Sequence, residues 1–582
     1  MSLLLCALGP LRADQGGPWP DPHAPPPAPA IEIMQTRGTA PFAVHVHALN
    51  SHLGVGDSLT ARYMWDFGDP NGRFNTLVGW NAAHIYDHPG RYLITLTVTN
   101  ERGRSSKTRV EVTVAPDDRR RVFISAEGDD SNPGTSPDIP LRTFAGAMRR
   151  LHHGTTVLFR RGDMFDVSAS VEVGWRNWVL MAYGDDPHPP VLRWVGDPGW
   201  AAMIGMDAAS CRDAVVDGLR FDSRYADTPE RDIVDALRPA GTNITVRNCT
   251  FGDLTTAINA ERDPVGLFTL DNGADGLRAY FVWGEGSDHC HLGNTVRGST
   301  IEHNLRFAGA ERVLIAHNDL TNQPKRTIWA MTGQDVYIAH NTLRDGRLTV
   351  GPNHALGDPA DRMSRTVVEA NLVDKPSGST PALEIEHGAE HVSIRNNVIR
   401  TAGTTTLRIA GRSETMNRNA ADVRIVCNTA VNNAETGRFL ECGADATGVL
   451  VADNLYVCPT LITGEFRSAI LFILDGDLSG FDRITDNVWP QPAEFRWVDD
   501  GYHYLWERWS DADGYLNIAE WAARDATCND AYANVALDGY FRPAVDSGAV
   551  GHARRVPGVF TDLLGYRRPL DGRWTAGALE VR

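Results

Sequence analysis

The sequence predicts an all-β chain, most of it a right-handed parallel β-helix solenoid, and three observations lead there. The first is a recurrent phrase, apolar-x-apolar-x-x-Asn-x-apolar. It runs Val313-Leu-Ile-Ala-His-Asn318-Asp-Leu320 and returns ending on Asn341, Asn371, Asn397, Asn428 and Asn454, at intervals of 23, 30, 26, 31 and 26 residues. A fixed phrase at variable intervals above a floor is one structural unit with connections of unequal length between copies. The second observation is that each copy consists of short period-two segments, which are strands and not helical stripes, so strands stack into a solenoid. The third is length: 582 residues exceed one ordinary domain, so at least two modules are expected.

Composition bounds the function. Hydrophobic residues make up 42% and charged residues 22%, as in ordinary globular proteins. With 56 basic and 73 acidic residues the net charge is −17, which argues against bulk nucleic-acid binding and requires a locally basic groove for any anionic substrate. No apolar run approaches the roughly 20 residues of a membrane span. The eight cysteines show no C-x-x-C pair, so zinc is not expected. Setting Cys6 aside leaves an odd number, and no disulfide framework follows.

In chain order, residues 1–30 read as a candidate leader, Met1 to Gly9, followed by a stiff Pro-rich linker around Pro25-Pro26-Pro27. Residues 31–115 alternate like strands. They carry Trp65-Asp66-Phe67-Gly68-Asp69, then His84-Ile85-Tyr86, then Pro89-Gly90-Arg91-Tyr92 and an alternating run to Asn100. This stretch resembles a PKD domain, which implies a small immunoglobulin-like β-sandwich acting as spacer or auxiliary binding module. From 117 to 582 the solenoid is expected. It opens on Val122-Phe-Ile-Ser and a Gly/Asp/Asn loop. Phe144, Ala147, Met148 and Leu151 follow at helical spacing, with Pro140 near the first turn, and Gly154 to Asp163 returns to strand. This opening resembles the N-terminal cap of pectate-lyase-like β-helix proteins, where the helix covers the open end of the core. After Asn454 the phrase loosens into a Trp-rich region with Trp489, Trp497, Trp506, Trp509 and Trp521, and the tail from Asp546 resembles last rungs. Asp511 to Glu520 has part of the spacing of an EF-hand loop, but Trp509 stands at its first ligand position, so a turn and helix start is expected.

The repeated Asn reads as structural, an amide stacked at the same corner of every rung. Chemistry is expected on the strand before each phrase. Leu305-Arg306-Phe307, Ile328-Trp329-Ala330, Leu348-Thr349-Val350, Leu383-Glu384-Ile385 and Leu407-Arg408-Ile409 align, with the apolar pair inward and the middle residue outward. The outward column Arg306, Trp329, Thr349, Glu384, Arg408 has the composition of a sugar-binding track: cations for carboxylates or sulfates, an aromatic face for a pyranose. Glu302, His303, Lys325, Arg326, Arg347, His354, Glu386 and His387 lie nearby in sequence.

β-Elimination on a uronate fits this set. It removes the proton at C5, next to a carboxylate, and so needs that carboxylate neutralised and a base close by. Arg306, Arg326 or a Ca²⁺ held by Glu384 and Glu386 would neutralise; Lys325, His303, His354 or Arg408 would serve as base or acid. Trp329, Thr349, Glu384, Arg347 and His387 would bind substrate. The resemblance to β-helix polysaccharide lyases implies these roles by class only. A glycoside hydrolase would need two facing carboxylates, for which Glu384, Glu386 and Glu302 are available. The Gly-His-Gly of polygalacturonases and the Asp-Pro-His-Glu of alginate epimerases are absent. The third alternative is a non-catalytic glycan-binding surface or matrix protein. The expectation is a secreted, periplasmic or cell-surface protein acting on a uronate-containing or otherwise anionic polysaccharide, with no nucleic acid partner and no transmembrane span.

Overall fold

The computed structural model describes residues 20–581 except 198, 200, 226–233, 323–324, 353–360, 379, 411–418, 436, 444–445, 461–470, 475–477, 492–493, 499–513, 518–527 and 571–572. Three sheets of 14 described strands each form the solenoid, paired in parallel throughout except for the last strand of one of them, and successive strands of the chain pass from one sheet to the next in rotation. Crossovers between parallel strands take the right-handed path. We call the three sheets the docking sheet (containing Arg120–Ile124 and Ala389–Arg395), the open sheet (containing Met164–Val167 and Val398–Thr401) and the site sheet (containing Val171–Val173 and Leu383–Ile385). Inward columns such as Leu305, Ile328, Leu348, Leu383, Leu407 and Leu440 stack rung on rung and are fully buried. Each such side chain contributes roughly 1.5–3 kcal/mol by leaving water.

The helix at the open end is short, Phe144–Met148. Thr143 caps it, its Oγ1 accepting the Gly146 N–H at 2.9 Å, so Pro140 lies ahead of the first turn and not within it. Phe144, Ala147, Met148 and Leu151 close the solenoid core.

The asparagine column is a continuous amide ladder. Each Nδ2 donates to the Oδ1 of the next rung and each Oδ1 also accepts the backbone N–H of the rung before, as with Asn341, Asn371 and Asn397 at 2.9–3.0 Å. The ladder takes in Asn294, whose segment His289–Asn294 also fits the phrase, and runs further at both ends, to Asn272 and to Asn487, closing on Asp530. The residue before each Asn turns the corner in the left-handed region, as His317 (φ 59°), Ala370 (φ 55°) and Asp453 (φ 58°) do.

The N-terminal sandwich packs a three-stranded sheet (Glu32–Ile33, Phe42–His47, Asn81–Tyr86) on a five-stranded one, around buried Trp65, Trp80 and Tyr86. It is no spacer. Its core is continuous with the outer face of the docking sheet, where Val179, Val215, Phe268, Leu292, Leu314 and Tyr337 belong to the same apolar cluster. Polar clamps hold both sides of that face: Arg247 to Asp87 at 2.7 and 3.0 Å, Arg73 to Asp271 at 2.9 and 3.1 Å, and Asn81 Nδ2 to the carbonyls of His289 and Arg312 at 2.9 and 2.8 Å.

The last parallel pairing described joins Val488–Trp489 to Ala531–Tyr532. Beyond it the chain adds no further rung. The described residues from 533 to 581 return over the end of the solenoid, where Val535, Ala549, Val556 and Trp574 cluster with Val426 and Leu450 of the docking sheet and Val488 of the open sheet. This tail meets the sandwich at Arg62 Nη1 and Thr561 Oγ1, 3.1 Å apart. In the Trp-rich region Trp489 is buried, while Trp506, Trp509 and Trp521 lie outside the described residues, as do residues 1–19. Gly514–Asn517, read above as a turn and helix start, is a strand antiparallel to Glu494–Val498. The seven described cysteines are free thiols. No helix among the described residues is long and apolar enough to cross a membrane.

Candidate active site

On the site sheet, strand pairing places Arg306 beside Trp329, Trp329 beside Thr349, Thr349 beside Glu384 and Glu384 beside Arg408. The column extends one rung each way, to Trp283 and to Glu441. Neighbouring positions are about 4.8 Å apart. The column faces away from the core, yet its middle is covered: Trp329 is 1%, Thr349 0% and Glu384 3% exposed.

The cover is made by long side chains lying along the rungs. Arg326 Nε donates to Thr349 Oγ1 at 2.8 Å and its Nη2 reaches Glu386 Oε1 at 3.3 Å and Glu384 Oε2 at 3.8 Å. Its guanidinium also stacks 4.0 Å over Trp329, whose other neighbour is the Arg306 guanidinium at 4.8 Å. The Trp329 Nε1 donates to the Gly351 carbonyl at 3.0 Å. This corrects the role expected for Trp329: with both cations on its ring, it holds arginines and offers no face to a sugar.

Glu384 is a hub. Arg347 Nη1 lies 3.1 Å from Oε2 and Arg408 Nη1 3.6 Å from Oε1. Arg408, 41% exposed at its side chain, also contacts Glu441 at 3.5 Å, and Glu441 accepts from Arg438 at 3.0 Å and Thr405 at 3.2 Å. The cations prominent in the sequence are thus largely answered by carboxylates once folded.

Burial, followed by the adjacent Glu384 charge, raises the Glu386 carboxyl to about 7 against the pull of Arg326 and Arg408. Burial, then Arg347, lowers Arg326 to about 10, where it stays charged at neutral pH. His303 is buried edge-on to Trp329 at 5.1 Å; its Nδ1 accepts the Arg326 N–H at 3.2 Å and its Nε2 lies 3.3 Å from Glu302. Burial and the charges of Arg326 and Arg306 drive its pKa down to about 2, far too weak a base for proton abstraction. This removes one of the bases expected from the sequence. Lys325 is exposed at the rim, His387 is buried, and His354 lies outside the described residues.

The calcium expectation meets a competitor. Calcium seeks several oxygen ligands, but the two carboxylates proposed to hold it already share one guanidinium nitrogen of Arg326. No cluster of three or more His, Cys, Asp or Glu arranged for a metal occurs among the described residues.

Trp283, Glu441 and Arg438 were missed by sequence reasoning. Val282-Trp283-Gly284 and Leu440-Glu441-Cys442 repeat the same inward-outward-inward triplet and would have been found by extending the alignment one rung each way.

Residues 26–114 match the PKD domain family. Among curated proteins, the collagenase ColQ1 of Bacillus cereus (strain Q1) is 41% identical over 128 residues, which cover 21% of this chain and 12% of that protein. Among solved structures, a PL6 alginate lyase in complex with a trisaccharide is 12% identical, covers 72% of this chain and 96% of its own, and has a TM-score of 0.43. The pectate lyase Pel9A is 12% identical over 80% and 97% of the two chains with a TM-score of 0.36. A GH136 lacto-N-biosidase from Eubacterium ramulus is 11% identical over 61% and 67% with a TM-score of 0.38. The chain is a PKD domain joined to a parallel β-helix; the β-helix is defined by its own strand pairing.

Proposed function

We propose that this protein is an extracellular enzyme that cleaves an acidic polysaccharide by β-elimination on the site sheet. The observation that carries the reading is Glu386, a carboxyl raised to about 7 amid Arg326, Arg347 and Arg408. A base matched to neutral pH is what C5 proton abstraction needs, and the half-exposed Arg408, with Arg347, both now paired with Glu384, would hold the uronate carboxylate that makes that proton acidic. The Glu386 carboxylate takes the C5 proton, the electron pair forms the C4–C5 double bond, the C4–O bond breaks, and the departing oxygen takes a proton from water, whose hydroxide the protonated Glu386 then neutralises.

The sign of the pH dependence follows. Glu386 is a base only when ionised, so elimination rises with pH through about 7. Because Arg326 already bridges the two carboxylates, adding a chelator leaves the rate unchanged. Incubation with a panel of uronate polymers, followed by the ultraviolet absorbance of unsaturated uronate, tests the reading. Glu386→Gln is expected to lose roughly a hundred- to ten-thousandfold in rate. Absence of unsaturated product from every polymer defeats elimination.

A second reading, hydrolysis, draws on the same pair: a protonated Glu386 near an arginine-bound Glu384 resembles an acid and its ionised partner. It gives new reducing ends without absorbance and a rate that falls as pH rises through about 7.

A further inference from the structure

We propose that Arg306 recognises a single carboxylate or sulfate of the glycan, so that the groove takes polymers whose charges are interspersed with neutral sugars in preference to continuous polyuronates. This rests on the acidic-polysaccharide reading above. Arg306 is held between two indoles, its guanidinium carbon 4.7 Å over Trp283 and 4.8 Å over Trp329. Nη1 donates to the Tyr280 hydroxyl at 3.1 Å and Nη2 points to Met331 Sδ at 3.3 Å, while the buried Nε has no hydrogen-bond partner.

Among the described residues no carboxylate lies within ion-pair distance of Arg306, which sets it apart from the other arginines of this face. Upstream, Arg238 is paired with Asp235 at 2.9 Å and Glu261 at 3.4 Å; downstream, Arg326, Arg347 and Arg408 share Glu384. A part-buried guanidinium with its Nε unbonded and no carboxylate in ion-pair contact is unfavourable by itself. An incoming carboxylate or sulfate supplies what is missing, by charge-assisted bonds to the guanidinium N–H groups. Lys325 stands at the rim, in water, where an ion pair is worth little.

The flanks oppose further charge. The Glu302 carboxylate acts electrostatically on Tyr280 and the Glu285 carboxylate on Arg306, so carboxylates sit near the Arg306 rung without pairing with it. A homopolymer presenting an acid on every sugar meets these as like charges. An alternating polymer places one acid at Arg306 and neutral sugars beside it.

The test is calorimetric titration of the full chain carrying Glu386→Gln, so that nothing is cleaved. The ligands are size-matched oligosaccharides of polygalacturonate and polymannuronate against hyaluronan, unsulfated chondroitin, chondroitin sulfate and its carboxyl-reduced form. Hyaluronan and unsulfated chondroitin, if the recognised group is a carboxylate, or carboxyl-reduced chondroitin sulfate, if it is a sulfate, alternate charged and neutral sugars and are expected to bind at least tenfold tighter than the homopolymers. Chondroitin sulfate, charged on every sugar, is expected to gain no such preference. Adding Arg306→Gln should weaken the alternating ligands roughly ten- to a hundredfold and erase the preference. Binding of carboxyl-reduced chondroitin sulfate identifies sulfate as the recognised group, and its loss identifies carboxylate. Equal or tighter binding of the homopolymers, or a preference that survives Arg306→Gln, overturns the proposal and leaves elimination standing. No binding of any acidic oligosaccharide removes both. Thermal unfolding of the Arg306→Gln chain checks its fold; should it fail, Arg306→Lys, which keeps the charge but not the fork, is expected to bind with reduced preference, and an unchanged preference overturns the proposal.

Discussion

Asp453 shows how one buried side chain sets a pH dependence far from the groove. It occupies a left-handed corner beside Asn454, its Oδ1 accepting the Arg554 N–H of the returning tail at 2.8 Å. Burial pushes its pKa well above the usual carboxylate value, with Asp486 adding to the shift. A folded pKa raised above the unfolded one means that this group's stability is fully present below the ordinary carboxylate pKa and is lost as pH rises through the folded value. Asp453→Asn keeps the acceptor, suits the left-handed corner and removes the charge. The substituted chain is expected to gain roughly 1–2 kcal/mol near neutral pH, with the gain vanishing in acid. Thermal midpoints across pH check this, and a lower midpoint at every pH contradicts it. Single residues were also where sequence reasoning fell short. Arg326 was singled out, but nothing in the sequence shows that its side chain runs forward to meet Glu386, sixty residues on, and covers Trp329 on the way.

Among elements, the corner ladder was the most legible because its signal is one residue type at one place in a period-two phrase. Asn318 to Asn454 were readable for that reason. Asn272 and Asn487 were not, since their rungs lack the full phrase, and Asp530 closes the ladder with a different side chain. The ladder is cooperative by construction. Asn371 Nδ2 donates to the Ile338 carbonyl at 2.9 Å and to Asn397 at 3.0 Å, and its Oδ1 accepts twice from Asn341. Asn371→Ala strands several buried polar atoms at once and should cost about 3 kcal/mol or more. Asp530→Ala, at the end, should cost about 1 kcal/mol. Chemical denaturation of both chains measures the difference, and equal losses would show that the ladder is a row of independent bonds. The outward column was equally legible, because the triplet survives the long connection between Thr349 and Glu384. That its charges answer one another was not, since pairing along a column depends on side-chain reach.

At the scale of the molecule, the sandwich was recognisable from Trp65, Gly68 and Tyr92, but its docking was not. The apolar residues facing it, such as Val179, Leu292 and Tyr337, read in sequence as ordinary strand positions. A solenoid held only by neighbour contacts opens rung by rung. Here the sandwich and the tail lie across many rungs of one sheet, so we expect the whole chain to melt in one calorimetric transition, and two resolved transitions would contradict the coupling. The meeting of Arg62 with Thr561 gives this roof a further consequence. The two halves of the cover come from opposite ends of the described chain, so a product halted before residue 533 keeps its groove strands yet leaves Leu450 and Val488 bare. Such a fragment displays a greasy stripe of the kind that chaperones and proteases act on. The returning tail thereby shields apolar surface of the solenoid that a chain cut before residue 533 would leave to water.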